Sequence, residues 1–148
     1  MLGPADILAH LGGVARGALL QQYGCTRQNL AAAAARGSIT RLRSGVYFTA
    51  MADRRVVTAA AHGGAITCID ALRAHGIWVL RDAGEEVHVW MGASGRRHRH
   101  ADCTCVTHYS PGVASVGVAP VVPALVHAFR CLEAEEFFAS YESEIGRA

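Results

Sequence analysis

Residues 25–48 read CTRQNLAAAAARGSITRLRSGVYF and carry four arginines without a single Asp or Glu. Thr26 stands at an N-cap position ahead of RQNLAAAAAR, and Gly37 ends the helix that this run predicts. Leu30 and the small alanines are its only packing residues, so the helix must lie close against its neighbours with its polar first turn outward. After Gly37, SITRLR and GVYF read as two short strands whose alternation is imperfect, joined by a hairpin turn at Ser44-Gly45.

Upstream, Pro4 or Asp6 starts a short helix that Gly12-Gly13 closes, with Ile7, Leu8 and Leu11 on one face. VARGALLQQY, residues 14–23, predicts a second helix with Val14, Ala18 and Leu19 inward, closed by a left-handed cap at Gly24. Three helices and then a hairpin, over residues 1–52, is the order of a winged helix-turn-helix DNA-binding domain. Such a domain lays its third helix in the major groove of double-stranded DNA. Thr26, Arg27, Gln28 and Asn29 then face base edges, Arg27 suited to guanine and Gln28 or Asn29 to adenine. Arg36 at the helix end, and Arg41, Arg43 and Ser44 around the wing turn, are positioned for phosphate.

The charge pattern agrees. In residues 1–55 seven arginines face only Asp6 and Asp53, a net +5, whereas residues 131–148 hold five Glu and one Arg, a net −4. A basic front and an acidic tail predict a polyanion partner for the first and a different surface for the second. All 14 basic residues are Arg, and with the abundance of Ala and Gly this points to a GC-rich genome rather than to a chemical requirement.

Three segments carry a family resemblance. Gly13-Val14-Ala15, Gly24-Cys25-Thr26 and Arg36-Gly37-Ser38-Ile39-Thr40-Arg41-Leu42-Arg43-Ser44-Gly45-Val46-Tyr47 resemble the N-terminal winged helix-turn-helix of the AbiEi antitoxins, the repressor halves of type IV toxin-antitoxin systems. Arg16 departs from the pattern, where a Thr often caps the second helix. ALRAHGIW, VHVWM, GRRHRH, VTHYSP and VAPVVPALVHAFRCL are similar, more weakly, to the second domain of actinobacterial proteins that share this wing. The resemblance implies a transcriptional repressor, an antitoxin autoregulating its own operon, with a cognate toxin as a further partner. In many of those actinobacterial proteins a nuclease domain of the very short patch repair type follows. An alternative expectation is therefore a DNA-targeting part whose catalytic domain lies outside this chain, since no spaced Asp and Glu-x-Lys core is present here.

Residues 53–148 predict a small mixed α/β domain, which makes the whole chain α+β. A connector with a helical piece leads to a helix CIDALRAHG, then a strand at 85–91, a loop GASGRRHRHADC, a strand at about 103–110 and a third short strand in VGVAPVV. Pro123 suits the first turn of a helix PALVHAFRCL, and a last amphipathic helix follows with Phe137, Phe138, Tyr141 and Ile145 as core positions. Arg96, Arg97 and Arg99 in the loop form a second basic concentration, readable as a DNA backbone clamp or as a solvated loop.

His98, His100, Asp102, Cys103, Cys105 and His108 are all metal-ligand types, but Cys-x-Cys brings no second pair of thiols and the spacing is not that of a zinc knuckle or ribbon. No metal or cofactor is therefore expected. Cys25, Cys68 and Cys131 read as small buried hydrophobes. No G-x-S-x-G, P-loop or HExxH is present, so catalysis is not expected. Five Cys without a recognisable signal peptide predict a cytoplasmic chain with reduced thiols, and no apolar run is long enough to span a membrane.

Overall fold

Pro4 opens α1 (Pro4–His10), where its missing N–H costs nothing, and the Asp6 carboxylate accepts the Gly3 N–H at 3.0 Å. The helix stops at Gly12 and Gly13, whose φ angles of +96° and +90° are left-handed. The computed structural model describes residues 1–147 and contains seven helices and two sheets, a mixed α/β fold.

Val14–Arg16 is a strand, β1, not the start of the helix expected from residue 14. Helix α2 is correspondingly short, Gly17–Gln22. The turn at Gly12-Gly13 delivers Val14 and Ala15 extended, and a partner strand far along the chain captures them: Val14 pairs with Phe48, Ala15 with Tyr47 and Arg16 with Val46. Gly17 lets α2 begin hard against this strand, because a Cβ there would sit 3.2 Å from the Tyr47 ring.

Helix α3 (Arg27–Ala35) is held by a reciprocal cap: Asn29 N–H donates to Thr26 Oγ1, and Thr26 N–H donates to Asn29 Oδ1, both at 3.0 Å. Strands β2 (Thr40–Arg43) and β3 (Val46–Phe48) follow, and the first sheet is antiparallel in the order β1-β3-β2. Arg41 opposes Tyr47 while Arg43 opposes Val46, so Leu42 is the extra residue of a β-bulge. That bulge is why the alternation of SITRLR is imperfect. Leu8, Leu20 and Ile39 are fully buried where the three helices meet the sheet, each contributing about 1.5–3 kcal/mol.

Asp53 caps α4 (Arg54–His62), accepting the N–H groups of Arg55 and Val56. Then come β4 (Ala65–Ile66), α5 (Cys68–Ala74), β5 (Val87–Trp90), β6 (Cys105–His108), β7 (Gly117–Val118), α6 (Val121–Cys131) and α7 (Ala134–Ile145). The second sheet has the order β6-β5-β4-β7; β4 runs antiparallel to β5, while β6 is parallel to β5 and β7 to β4. Gly64 permits this packing, because a Cβ there would lie 2.1 Å from the Trp90 carbonyl oxygen.

Period-two alternation gives this sheet two different faces. Val87 and Val89 meet α4 in a cluster with Val56, Ala59 and Ala60, whereas Trp90 meets α5 and α6 in a cluster with Leu72, Ala124 and Ala128. The α4-side cluster also takes in Val14, Val46, Leu42 and Phe48 of the first sheet, so the core runs across residues 52 and 53 without a linker. Arg43 adds a polar tie across the same seam, its Nε donating to the Ala60 carbonyl at 3.0 Å.

The reading of α7 needs correction. Ser140 is its fully buried position, its hydroxyl donating to the Trp78 carbonyl at 2.8 Å, and Phe137 is half-buried. Phe138, Tyr141 and Ile145 are exposed, and Tyr141 joins Val122, Val126 and Phe129 of α6 around an apolar groove. The helix turns its Glu136-Phe137-Ser140-Ser143 row inward because Ser140 and Ser143 bond the backbone around Trp78.

Candidate nucleic-acid interface and two Cys2His2 clusters

The first turn of α3 leaves Arg27 and Gln28 exposed and without intramolecular hydrogen bonds among the described residues. Thr26 and Asn29 are exposed too, but their side chains close the cap described above. Accepting the Thr26 N–H on Oδ1 holds the Asn29 side chain back toward the cap, whereas the exposed Gln28 amide is engaged by no such bond. Arg27, Arg41 and Ser44 line one groove between α3 and the β2–β3 turn, over a floor of Gly17, Ala18, Leu30 and Tyr47, with Gln21 at its side. No carboxylate lines this groove. Arg36 is exposed at the C-cap of α3.

Arg43 is placed differently from the wing reading. It is half-buried with its Nε on Ala60, and burial followed by the neighbouring Arg16 charge lowers its pKa. It therefore acts as a strut under the hairpin, while Arg41, exposed on β2, and Ser44, exposed in the turn, face the groove.

Arg96, Arg97 and Arg99 are exposed on the loop between β5 and β6. The loop is anchored at its middle: His98 N–H donates to the His62 carbonyl at 2.9 Å, and the His98 ring lies 3.1 Å from where a Gly63 Cβ would be. His98 has a lowered pKa, first from burial of part of its ring and then from the charges of Arg43, Arg96 and Arg16. The loop thus stands beside the first sheet, and Arg16, Arg43 and Arg96 form one basic band around His98. Ion pairs among the described residues are Arg55–Asp70, Arg81–Glu136 and Arg147–Glu144, none of which neutralises that band.

A second kind of chemistry lies on the two faces of the β5–β6 pair. On the α4 face, His62, His100, Cys103 and Cys105 bring one ligand atom each to within 4.8 Å of the others. His62 Nδ1 lies 3.1 Å from His100 Nε2 and 3.6 Å from Cys103 Sγ, and Cys105 Sγ is 3.6 Å from His100 Nε2. His62 Nε2 is 2.9 Å from Thr107 Oγ1. On the opposite face, Cys68, His88, His108 and Cys131 converge in the same way. His88 Nδ1 and His108 Nε2 are 2.9 Å apart, and Cys131 Sγ is 4.0 and 3.8 Å from them. Burial, with the nearby His127 and His88, pushes the His108 pKa down to about 4, and burial with Cys103 pushes Cys105 up to about 12.

No second pair of thiols joins Cys103 and Cys105, but a pair of imidazoles does, His62 arriving from α4 and His100 from the loop. Cys68 is buried in the α5–α6 core and Cys131 packs half-buried against it, and both thiols also face His88 and His108. Cys25 does lie among apolar neighbours of the α1–α3 core. His98 and Asp102 do not join either group, and His108 joins the far one. The sequence does not single out His62, Cys68, His88 and Cys131 as ligand types that converge; they lie on four different elements, His62 in the first group and the other three in the second. The one available signal was the strand period, which sets Cys105 and His108 on opposite faces of β6. No family model matches the chain, and no curated protein matches it.

Proposed function

We propose that this chain is a sequence-specific double-stranded DNA-binding repressor whose residues 1–52 act as a winged helix-turn-helix. In this reading α2 and α3 are the helix-turn-helix and the β2–β3 hairpin is the wing. The observation that carries it is the meeting of Arg27, Arg41 and Ser44 on one acid-free groove at the exposed start of α3. Arg27 and Gln28 enter the major groove, Arg27 as the fork that matches guanine and Gln28 as the match for adenine. Thr26 and Asn29 keep the helix start rigid so that those two side chains arrive in register. Arg41 and Ser44 hold phosphate on one side, and Arg96, Arg97 and Arg99 extend the grip along the backbone.

The likeness of residues 13–47 to AbiEi antitoxins makes the repressor an autoregulating antitoxin, with a toxin encoded beside it. A gel-shift titration of the purified chain against its own upstream region, with random duplex as competitor at two salt concentrations, tests the central claim. A retarded band that random duplex fails to compete supports it. No band at low salt refutes DNA binding, and equal competition refutes sequence specificity. Co-expression with the adjacent gene product tests the antitoxin role separately; a neighbour that is harmless alone removes that role and leaves DNA binding standing.

A further inference from the structure

The strongest unexplained feature of this molecule is that two thiols and two imidazoles converge twice, once on each face of the same strand pair. We propose that the chain binds two structural Zn2+ ions, one through His62, His100, Cys103 and Cys105 and one through Cys68, His88, His108 and Cys131. This assignment is independent of the DNA-binding reading.

The distances are those a tetrahedral ion imposes. Zn–N bonds of about 2.0 Å and Zn–S bonds of about 2.3 Å at tetrahedral angles separate two nitrogens by about 3.3 Å and a sulfur from a nitrogen by about 3.5 Å. The α4-side group has 3.1 Å between nitrogens and 3.6 Å for the Cys103–His62 and Cys105–His100 sulfur–nitrogen pairs. The α5–α6 group has 2.9 Å between nitrogens and 3.8 and 4.0 Å from Cys131 Sγ, so an ion there would part the two imidazoles by a few tenths of an ångström and draw the thiol in. A single N–H···N hydrogen bond would account for one edge of each group and leave the placing of four thiols without cause.

Backbone strain points to the same places. Cys68 with φ +55° and Asp102 with φ +53° are the non-glycine residues in the left-handed region among those described. Cys68 is itself a ligand, and Asp102 forms the tight bend between His100 and Cys103. Such conformations cost of order 1–3 kcal/mol and persist where something stronger holds the chain. His62 also has an outer partner of the kind a metal-bound imidazole uses: Nε2 lies 2.9 Å from Thr107 Oγ1, so with Nδ1 on the ion the Nε2–H would donate to that hydroxyl.

Ligand type selects the ion. Two thiolates and two imidazoles in a closed tetrahedron suit Zn2+, exclude Mg2+ and Ca2+, which need oxygen, and leave no open position for a substrate. Each ion binds as two thiols release their protons to solvent, so the two thiolates balance the 2+ charge and the buried group is neutral. The fold has a use for them. The edge strand β6 supplies Cys105 to one ion and His108 to the other, so a four-residue strand paired on one side is stapled to α4 and to α5–α6. With β4 and β7 only two residues each, the ladder alone is a weak frame.

The test is metal analysis of the full chain purified without a polyhistidine tag or added metal, followed by exchange with Co2+. The expected result is two zinc ions per chain and, after exchange, the intense visible bands of tetrahedral Co2+ with a thiolate charge-transfer band. Cys103→Ser, at the more exposed group, lowers the content to one, while Cys25→Ser leaves it at two. Cys131→Ser likewise lowers it to one; if that variant fails to fold, Co2+ titration of the wild-type chain still decides, saturating at two equivalents. A folded wild-type chain that contains no zinc and takes up no Co2+ overturns the proposal, as does a Cys68–Cys131 disulfide found by mass under non-reducing conditions. Saturation at one equivalent overturns the two-ion assignment.

Discussion

Arg43 donates its Nε to the Ala60 carbonyl across 3.0 Å, tying the hairpin of the first sheet to the last turn of α4. The bond joins a guanidinium to the negative end of a helix, in a partly buried setting where charge-assisted bonds count for about 1.5–3 kcal/mol. Arg43→Ala therefore lowers unfolding stability by about 2 kcal/mol, read by urea denaturation. Arg41→Ala, at an exposed position of β2, leaves the midpoint unchanged and weakens binding to every duplex. The idea of distinct roles fails if the two variants lose stability equally.

Arg27 is the exposed cation of the α3 first turn. Arg27→Ala should cost about 1–3 kcal/mol on the preferred duplex and relax selection at one base pair, while random duplex is affected much less. Binding titrations against a set of single-base operator variants measure this. Equal losses on preferred and random duplex would assign Arg27 to phosphate instead.

Arg96, Arg97 and Arg99 lie on the loop anchored at His98. Replacing all three with Ala reduces the steepness of the log affinity against log salt line by about 2.7 if each neutralises one phosphate. Base preference stays as it was if the loop follows the phosphate backbone alone. An unchanged slope would leave the loop outside the interface.

Asp70, whose side chain is 1% exposed, accepts Arg55 Nη1 on one oxygen and the His88 N–H on the other, both at 2.8 Å. Arg55→Met strands a buried carboxylate and is expected to destabilise the chain by about 3 kcal/mol. Adding Asp70→Asn to it should recover part of that loss, since the stranded charge is then gone. A double variant as unstable as the sum of the singles would show that the pair is not coupled.

How much was legible follows from where each signal lives. Thr26, Asn29 and Gly37 mark α3 because capping is a matter of neighbours within a turn, and Ser44-Gly45 marks the hairpin for the same reason. Val14–Arg16 was misread as helix because three residues carry no period of their own; their strand character comes from Val46–Phe48, more than thirty residues on. The inward row of α7 was misread because Ser140 and Ser143 find partners at Trp78 that no periodicity announces.

The sequence by itself determined the local grammar of the front half: a capped alanine helix, a glycine stop, a basic hairpin and no acid in between. It also settled the residue types available for chemistry. Only the tertiary structure decided that Arg43 braces while Arg41 is presented, and that the 96–99 loop stands beside the first sheet. The two Cys2His2 groups belong wholly to the fold, because β5 and β6, paired in parallel, send alternate side chains to opposite faces, where three helices and the β5–β6 loop supply the remaining ligands.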